Sequence, residues 1–210
     1  WWMLTLVLVP WTTFYFGVQA IHGDIEDRSF QYLFVRPVPR GSILLGKWLA
    51  VSTVAATVHS LGTLAVFACI AVHDGMWPAG VDYRLGYVFA FAMCLQSFAY
   101  AAVAALFSAM LRWPLISGAA FIFGAQMLLA NLPVRASIRY ATITDPVRRF
   151  VLANVDPDRE LARIVWPVGR EWKQEMDGAP LLNLALLIVI ALVLGLLSYR
   201  RNEYDSRPRE

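Results

Sequence analysis

Five stretches of this chain run for about twenty residues or more without an Asp, Glu, Lys or Arg, and they decide what it can fold into. They are residues 1–21, 48–72, 85–111, 113–132 and 179–199. At about 1.5 Å of rise per helical residue, each can cross a hydrocarbon layer of about 30 Å. A buried core helix of a water-soluble enzyme can imitate one such run, but not five. Composition agrees, with 59% hydrophobic residues against 16% charged ones. The sequence therefore predicts an all-α, polytopic α-helical membrane protein with five transmembrane helices. No repeat, low-complexity tract or soluble linker is visible, so residues 1–210 read as a single transmembrane domain. The chain opens at Trp1 inside an apolar run, with no initiator Met, basic flank or small-residue cleavage site. It reads as neither a signal peptide nor a natural start, and an upstream span is expected.

Between the first two runs lies a charged insert, residues 22–47, whose core reads GDIEDRSFQYLFVRPVPRGSILLGK. Arg28, Arg36, Arg40 and Lys47 lie in it, and Arg200, Arg201, Arg207 and Arg209 lie in the tail, residues 200–210. Four spans separate the two clusters, so both fall on one side, together with the Arg112 turn. That side then holds nine basic residues, against Arg84 alone in the opposite short loop. The positive-inside bias places insert and tail in the cytoplasm. The long segment 133–178 then lies outside with eight basic residues, but seven acids accompany them and the bias weakens as loops lengthen. A net charge of +3 argues for no nucleic-acid partner.

The external segment carries Asp145-Pro146 and Asp156-Pro157, each read as an N-cap followed by proline at the first helical position. Two short helices are implied. Val147, Phe150, Val151 and Val155 share one face of the first, and Leu161, Ile164 and Val165 one face of the second, with the arginines elsewhere. Such helices suit the membrane interface, with Trp166 and Trp172 as anchors, either as a folded cap or as a gate over a pathway. Trp113 and Pro114 after Arg112 predict a tight turn and an antiparallel hairpin of the third and fourth spans. Ala101 with Ala105, and Ala120 with Gly124, have the spacing for close helix contact.

Catalysis finds little to work with. His22, His59 and His73 lie at different depths and cannot share one metal without rearrangement, and no HExxH, GxSxG or CxxC occurs. Cys69 and Cys94 sit at different depths, so they read as packing residues rather than a disulfide. Within the spans, His59, Gln96, Gln126 and Asn183 are polar. They either line a hydrophilic path or bond helix to helix. No intramembrane acid is present for a proton relay, so the energy for any transport is expected from elsewhere.

Gly41, Gly46 and Lys47 satisfy the first seven positions of the phosphate loop GxxxxGK[ST], but Trp48 stands at the eighth. The missing hydroxyl would hold magnesium, and a working loop follows a buried strand, whereas this lysine leads into a membrane run. Lys47 instead reads as an anchor whose ammonium reaches the headgroups. In the insert, Asp24, Glu26 and Asp27 precede an apolar patch of Phe30, Tyr32, Leu33, Phe34 and Val35 that ends at Arg36. An amphipathic helix is expected there, followed by an elbow stiffened by Pro37 and Pro39, whose φ is fixed near −65°.

These residues resemble the membrane permeases of type-2 ABC exporters, whose loop after the second span commonly reads E-x-x-x-G-T-x-x-x-L-x-x-R-P-V-S-R-x-x-I-L-L-G-K. The likeness runs through Glu26, Leu33, Arg36, Pro37, Val38, Arg40, Ile43, Leu44, Leu45, Gly46 and Lys47. Ser29 stands near the family threonine, the preceding glycine is absent, and Pro39 replaces the usual serine. That family has six spans, an interfacial segment before the last and a short basic tail, so this chain would hold spans two to six.

The resemblance implies a permease half that pairs with a second half, homologous or identical, and docks the insert as a cytoplasmic coupling helix on a separate ABC ATPase subunit. ATP and magnesium would sit on that partner, leaving no cofactor and no hydrolytic site in this chain. Closure of the ATPase dimer would push the coupling helices and reorient the spans, for which a stiff elbow is suited. Glu26 and Arg28 would meet charges on the ATPase, and Tyr32, Leu33 and Phe34 would fill its groove. Arg36 and Arg40 would bind lipid phosphates or brace the loop. The expected location is a plasma membrane, in bacteria the inner one. A non-transporting membrane scaffold is the alternative, with the same spans but no ATPase partner.

Overall fold

The computed structural model describes residues 4–26, 40–73, 82–126, 129, 142–154 and 179–201. Every regular element among these residues is helical. Hydrocarbon requires this, because each backbone N–H and C=O must find its partner without water. A π-helical turn, Leu4–Leu8, leads into α1 (Val9–Glu26). Then come α2 (Arg40–His73), α3 (Tyr83–Met110), and α4 (Pro114–Ala119), which continues as π-helix over Ala120–Gln126. The last two are α5 (Thr144–Asn154) and α6 (Pro180–Arg201).

Four segments are long and apolar enough to cross a membrane: Leu4–Gly23, Gly41–His73, Tyr83–Met110 and Pro180–Tyr199. They coincide with four of the five expected spans. The remaining one, expected over 113–132, is described as the shorter apolar helix Pro114–Gln126, which covers about 20 Å at 1.5 Å per residue. Gln126 marks where it meets another part of the chain, since its Oε1 accepts the backbone N–H of Ile143 at 2.9 Å. By residue 143 the chain has therefore returned to the depth of residue 126.

Local signals explain the helix ends. Asp82 caps α3 by accepting the Arg84 N–H at 3.1 Å, and Leu111 closes it by donating to the Phe107 carbonyl at 2.8 Å. Pro114 then opens α4 at its first position, as expected for the hairpin at Arg112.

Central to the packing is α3, whose most apolar stretch is 61% buried, against 17% for α2 and for α6. Its alanines explain this: Ala90, Ala92, Ala99, Ala101, Ala102, Ala104, Ala105 and Ala109 are all buried. Lipid tails are as apolar as leucine, so helices associate through close packing and hydrogen bonds, and small side chains permit both. A Cβ on Gly17 of α1 would lie 2.6 Å from the Ala104 Cβ, and one on Gly195 of α6 would lie 3.3 Å from the Leu106 backbone. Gly118 of α4 sits directly against the Phe14 ring. The expected Ala101 and Ala105 are in this tight region, whereas Gly124 faces open space.

Two apolar clusters result. The larger joins Val9, Phe14, Val18, Met93, Tyr100, Ile122, Val147, Val151 and Leu184. The smaller joins Ile21, Leu44, Ala105, Ala109 and Tyr199. This second cluster gathers the end of α1, the start of α2, the end of α3 and the end of α6. The insert flanks, the Arg112 turn and the beginning of the tail thus share one end of the protein, here termed the loop end.

The placement of α5 differs from a helix lying on a surface with its arginines outward. It packs against α3 and α6, with Phe150 5.5 Å from Phe91. Arg148 and Arg149 are only 3% and 6% exposed. Its cap also differs: Thr142 Oγ1 accepts the Asp145 N–H at 3.3 Å. Asp145 is left to pair with Arg149 one turn on, at 2.7 Å. That pairing is what allows the helix to bury its charged side. The second expected helix, from Asp156, lies outside the described residues.

Candidate functional site

The insert enters and leaves through α1 and α2. Glu26 is the last residue of α1 and Arg40 the first of α2. Arg28, Tyr32, Leu33, Phe34, Arg36 and Pro37 lie outside the described residues. Gly41, Gly46 and Lys47 are all within α2, so the near-phosphate-loop pattern is helix rather than loop. Among the described residues, a Cβ on Gly46 would meet nothing within 4 Å.

Lys47 bonds to the neighbouring helix, its Nζ donating to the Ala20 carbonyl of α1 at 2.6 Å. Trp48 follows, with Nε1 3.4 Å from the Phe98 carbonyl of α3 and its ring 6.0 Å from that of Phe98. At the same end, Ser198 of α6 donates to the Ala109 carbonyl at 3.1 Å.

Deeper in the protein, His59 of α2 bridges two helices. Nε2 lies 3.0 Å from Thr12 Oγ1 of α1, and Nδ1 lies 3.0 Å from Ser97 Oγ of α3. Both hydroxyls also donate to carbonyls one turn back, Thr12 to Leu8 and Ser97 to Met93. Gln96 Nε2 donates to the Thr5 carbonyl. Gln126 holds the Ile143 amide, as described above. Three of the four expected intramembrane polar residues therefore make helix-to-helix or helix-to-segment hydrogen bonds. Asn183 is half-buried in the first turn of α6, where its N–H donates to the Ala179 carbonyl at 3.1 Å. His59 and Gln96 bond around α3, Gln126 ends the described π-helical continuation of α4, and Asn183 lies in the first turn of α6.

No group of three or more His, Cys, Asp or Glu with metal-binding proximity occurs among the described residues. Cys69 and Cys94 are free thiols. What remains is a set of apolar spans with polar ties between helices, opening at one end into a charged insert. Residues 3–204 match the family model described as ABC-2 family transporter protein. The chain belongs to that family. No curated protein matches it.

As an ABC-2 family member with membrane-spanning helices, the chain is a multi-pass membrane permease of an ABC transporter. The family is typically the non-catalytic transmembrane subunit and implies an ABC ATPase partner. The sequence did not point to several polar groups in this permease. Tyr100 on α3, 1% exposed, lies beside Gln96, Thr144 and Arg148. The N-terminus of α5 is thereby seated against the middle of a membrane-spanning helix. The signal available was Asp145 and Arg149 at i and i+4, which permits a buried pair. Thr12 and Ser97 were missed because hydroxyls in apolar helices ordinarily bond their own backbone.

Proposed function

We propose that this permease couples ATP hydrolysis on a separate ATPase subunit to export of a substrate across a plasma membrane, in bacteria the inner one. The reading rests on one observation above all: the charged insert joins α1 and α2 at the end where all four long helices converge. The convergence is the cluster of Ile21, Leu44, Ala105, Ala109 and Tyr199. A push applied to the insert would reach every long helix at once, which suits the rigid-body transitions of transporters. The family match and the RPVPR elbow of residues 36–40 support the same reading.

In this scheme the loop end faces the cytoplasm, ATP and magnesium reside on the partner, and a second permease half completes the pathway. Glu26, Arg28, Tyr32, Leu33 and Phe34 contact the ATPase, and Arg36, Pro37 and Arg40 orient the elbow. The test is Arg36→Glu combined with Arg40→Glu in the reconstituted complex. Loss of permease-stimulated ATP hydrolysis is expected, and unchanged stimulation would refute the coupling role.

A further inference from the structure

The tie around His59 contains four polar contacts. Nε2 lies 3.0 Å from Thr12 Oγ1, and Nδ1 lies 3.0 Å from Ser97 Oγ. The two hydroxyls in turn lie 2.6 Å from the Leu8 carbonyl and 2.9 Å from the Met93 carbonyl. A carbonyl only accepts, so each carbonyl contact takes a hydroxyl hydrogen, and a hydroxyl has one to give. With both spent in this way, both hydroxyl oxygens accept from the ring, and both ring nitrogens must carry a hydrogen. Only the imidazolium form does so. Four contacts thus need four hydrogens, and a neutral ring with its two hydroxyls supplies three.

The neutral ring is accommodated by rotating one hydroxyl. Ser97, for example, can swing its hydrogen from the Met93 carbonyl to a bare Nδ1, and the carbonyl keeps the backbone N–H of its own helix. Protonation reverses the rotation. The added proton comes from water and bonds to the bare nitrogen, and the hydroxyl hydrogen returns to its carbonyl. Both states leave the ring nitrogens satisfied, and neither requires a helix to move.

The tie lies deep in the bilayer, since His59 is twelve residues along α2 from Lys47, or about 18 Å. Along the neighbouring helices the nearest charged residues are as distant: Asp24 is twelve residues from Thr12 on α1, and Arg84 thirteen from Ser97 on α3. On α6 they are confined to Arg200 and Arg201 at its end. The titratable residues one turn away are Tyr15 on α1 and Cys94 and Tyr100 on α3, none of them a carboxylate. A positive ring is therefore stabilised here by oriented dipoles, each hydroxyl oxygen being polarised by the carbonyl to which it donates.

We propose that His59, with Thr12 and Ser97, forms an intramembrane proton-binding site in which two rotating hydroxyls serve the neutral and the charged ring alike. An ionisable side chain within a span marks a proton site more readily than a packing residue does, and histidine is the side chain suited to titration between about pH 5 and 8. The proposal is independent of the coupling reading, since it involves neither the insert nor the ATPase.

The test uses the full permease in lipid nanodiscs, isotopically labelled at the histidine ring nitrogens and followed by NMR as the pH is lowered. The two nitrogens of an imidazolium resonate close together and those of a neutral ring far apart, so the spectrum reads the charge state directly. Signals absent from His59→Gln identify the residue. Between about pH 8 and about pH 5 the wild-type pair is expected to converge. Thr12→Val combined with Ser97→Ala removes both acceptors, and the ratio of charged to neutral His59 at a given pH is expected to fall about tenfold or more. Should the double variant fail to insert, each single variant carries the measurement, with a smaller fall in the same sense. A histidine that serves only packing stays neutral throughout, and that result in the wild type overturns the proposal. A charged fraction unchanged by loss of the hydroxyls overturns it equally.

Discussion

Gly17 offers the most direct test of how the permease holds its central helix. A methyl group there would sit 2.6 Å from the Ala104 Cβ, whereas carbon atoms pack best at about 3.5–4.0 Å. Gly17→Ala must therefore part α1 from α3 by about 1 Å at that level, disturbing the buried Phe14, which meets Phe107 edge-on at 5.7 Å. Overpacking of this kind costs about 1–3 kcal/mol. Alanine also returns about 0.8–1.0 kcal/mol of helix propensity. The net expectation is a loss of about 1 kcal/mol. Gly62 supplies the control, because a Cβ there meets nothing within 4 Å. Gly62→Ala should keep only the propensity gain.

Unfolding in mixed micelles titrated with SDS measures both, and a third variant removes the ambiguity of absolute values. Combining Gly17→Ala with Ala104→Gly moves the methyl from one helix to the other and relieves the clash. The double mutant should be more stable than the sum of its singles by about 1–3 kcal/mol. If Gly17→Ala stabilises as much as Gly62→Ala, or if the pair is additive, α1 and α3 do not approach as closely as described.

Three further outcomes follow from the polar ties. His59→Leu should cost only about 1 kcal/mol in the same titration, because Thr12 and Ser97 retain their carbonyl acceptors and no donor is stranded; a loss above about 3 kcal/mol would mean His59 has a further role. Gln126→Leu strands the buried Ile143 amide and should cost about 1–3 kcal/mol, with faster hydrogen exchange at that amide and partial rescue by Gln126→Glu. Arg149→Met removes the partner of Asp145, a side chain 2% exposed, and should cost about 3–5 kcal/mol. Asp145→Leu on that background should recover most of the loss, and no recovery would show that the pair does not carry the burial of α5.

The spans were legible in the sequence because hydrocarbon permits no unpaired charge, so a charge-free run of sufficient length has few other uses. The hairpin at Arg112 was legible for a similar reason, since Pro114 can open a helix but not continue one. Less legible was anything that depends on the direction a side chain takes. The bond from Lys47 to the Ala20 carbonyl is one such contact. The amphipathic pattern put the arginines off the apolar face of α5 without saying what they meet, and the structure buries Arg148 and Arg149, with Arg149 paired to Asp145. The bond of Gln126 joins it to the amide of Ile143, seventeen residues on. No local pattern announces such a bond.

The polar ties also show how the long helices are held to one another. Lys47–Ala20 and His59–Thr12 link α1 to α2, and Trp48–Phe98, His59–Ser97 and Ser60–Ala90 link α2 to α3. Gln96 adds a bond from α3 to the Thr5 carbonyl ahead of α1. Interhelical bonds in membranes average about 0.6 kcal/mol, so these six together resist separation with about 4 kcal/mol beyond packing. Between α6 and α3, Ser198 donates to the Ala109 carbonyl at the loop end. Nearby Gly195 lies against the Leu106 backbone, and α5 contacts both helices. Helices α1, α2 and α3 thus share six side-chain ties among the described residues, and α5 is held to α3 in turn, with Thr144 beside Tyr100 and Phe150 against Phe91.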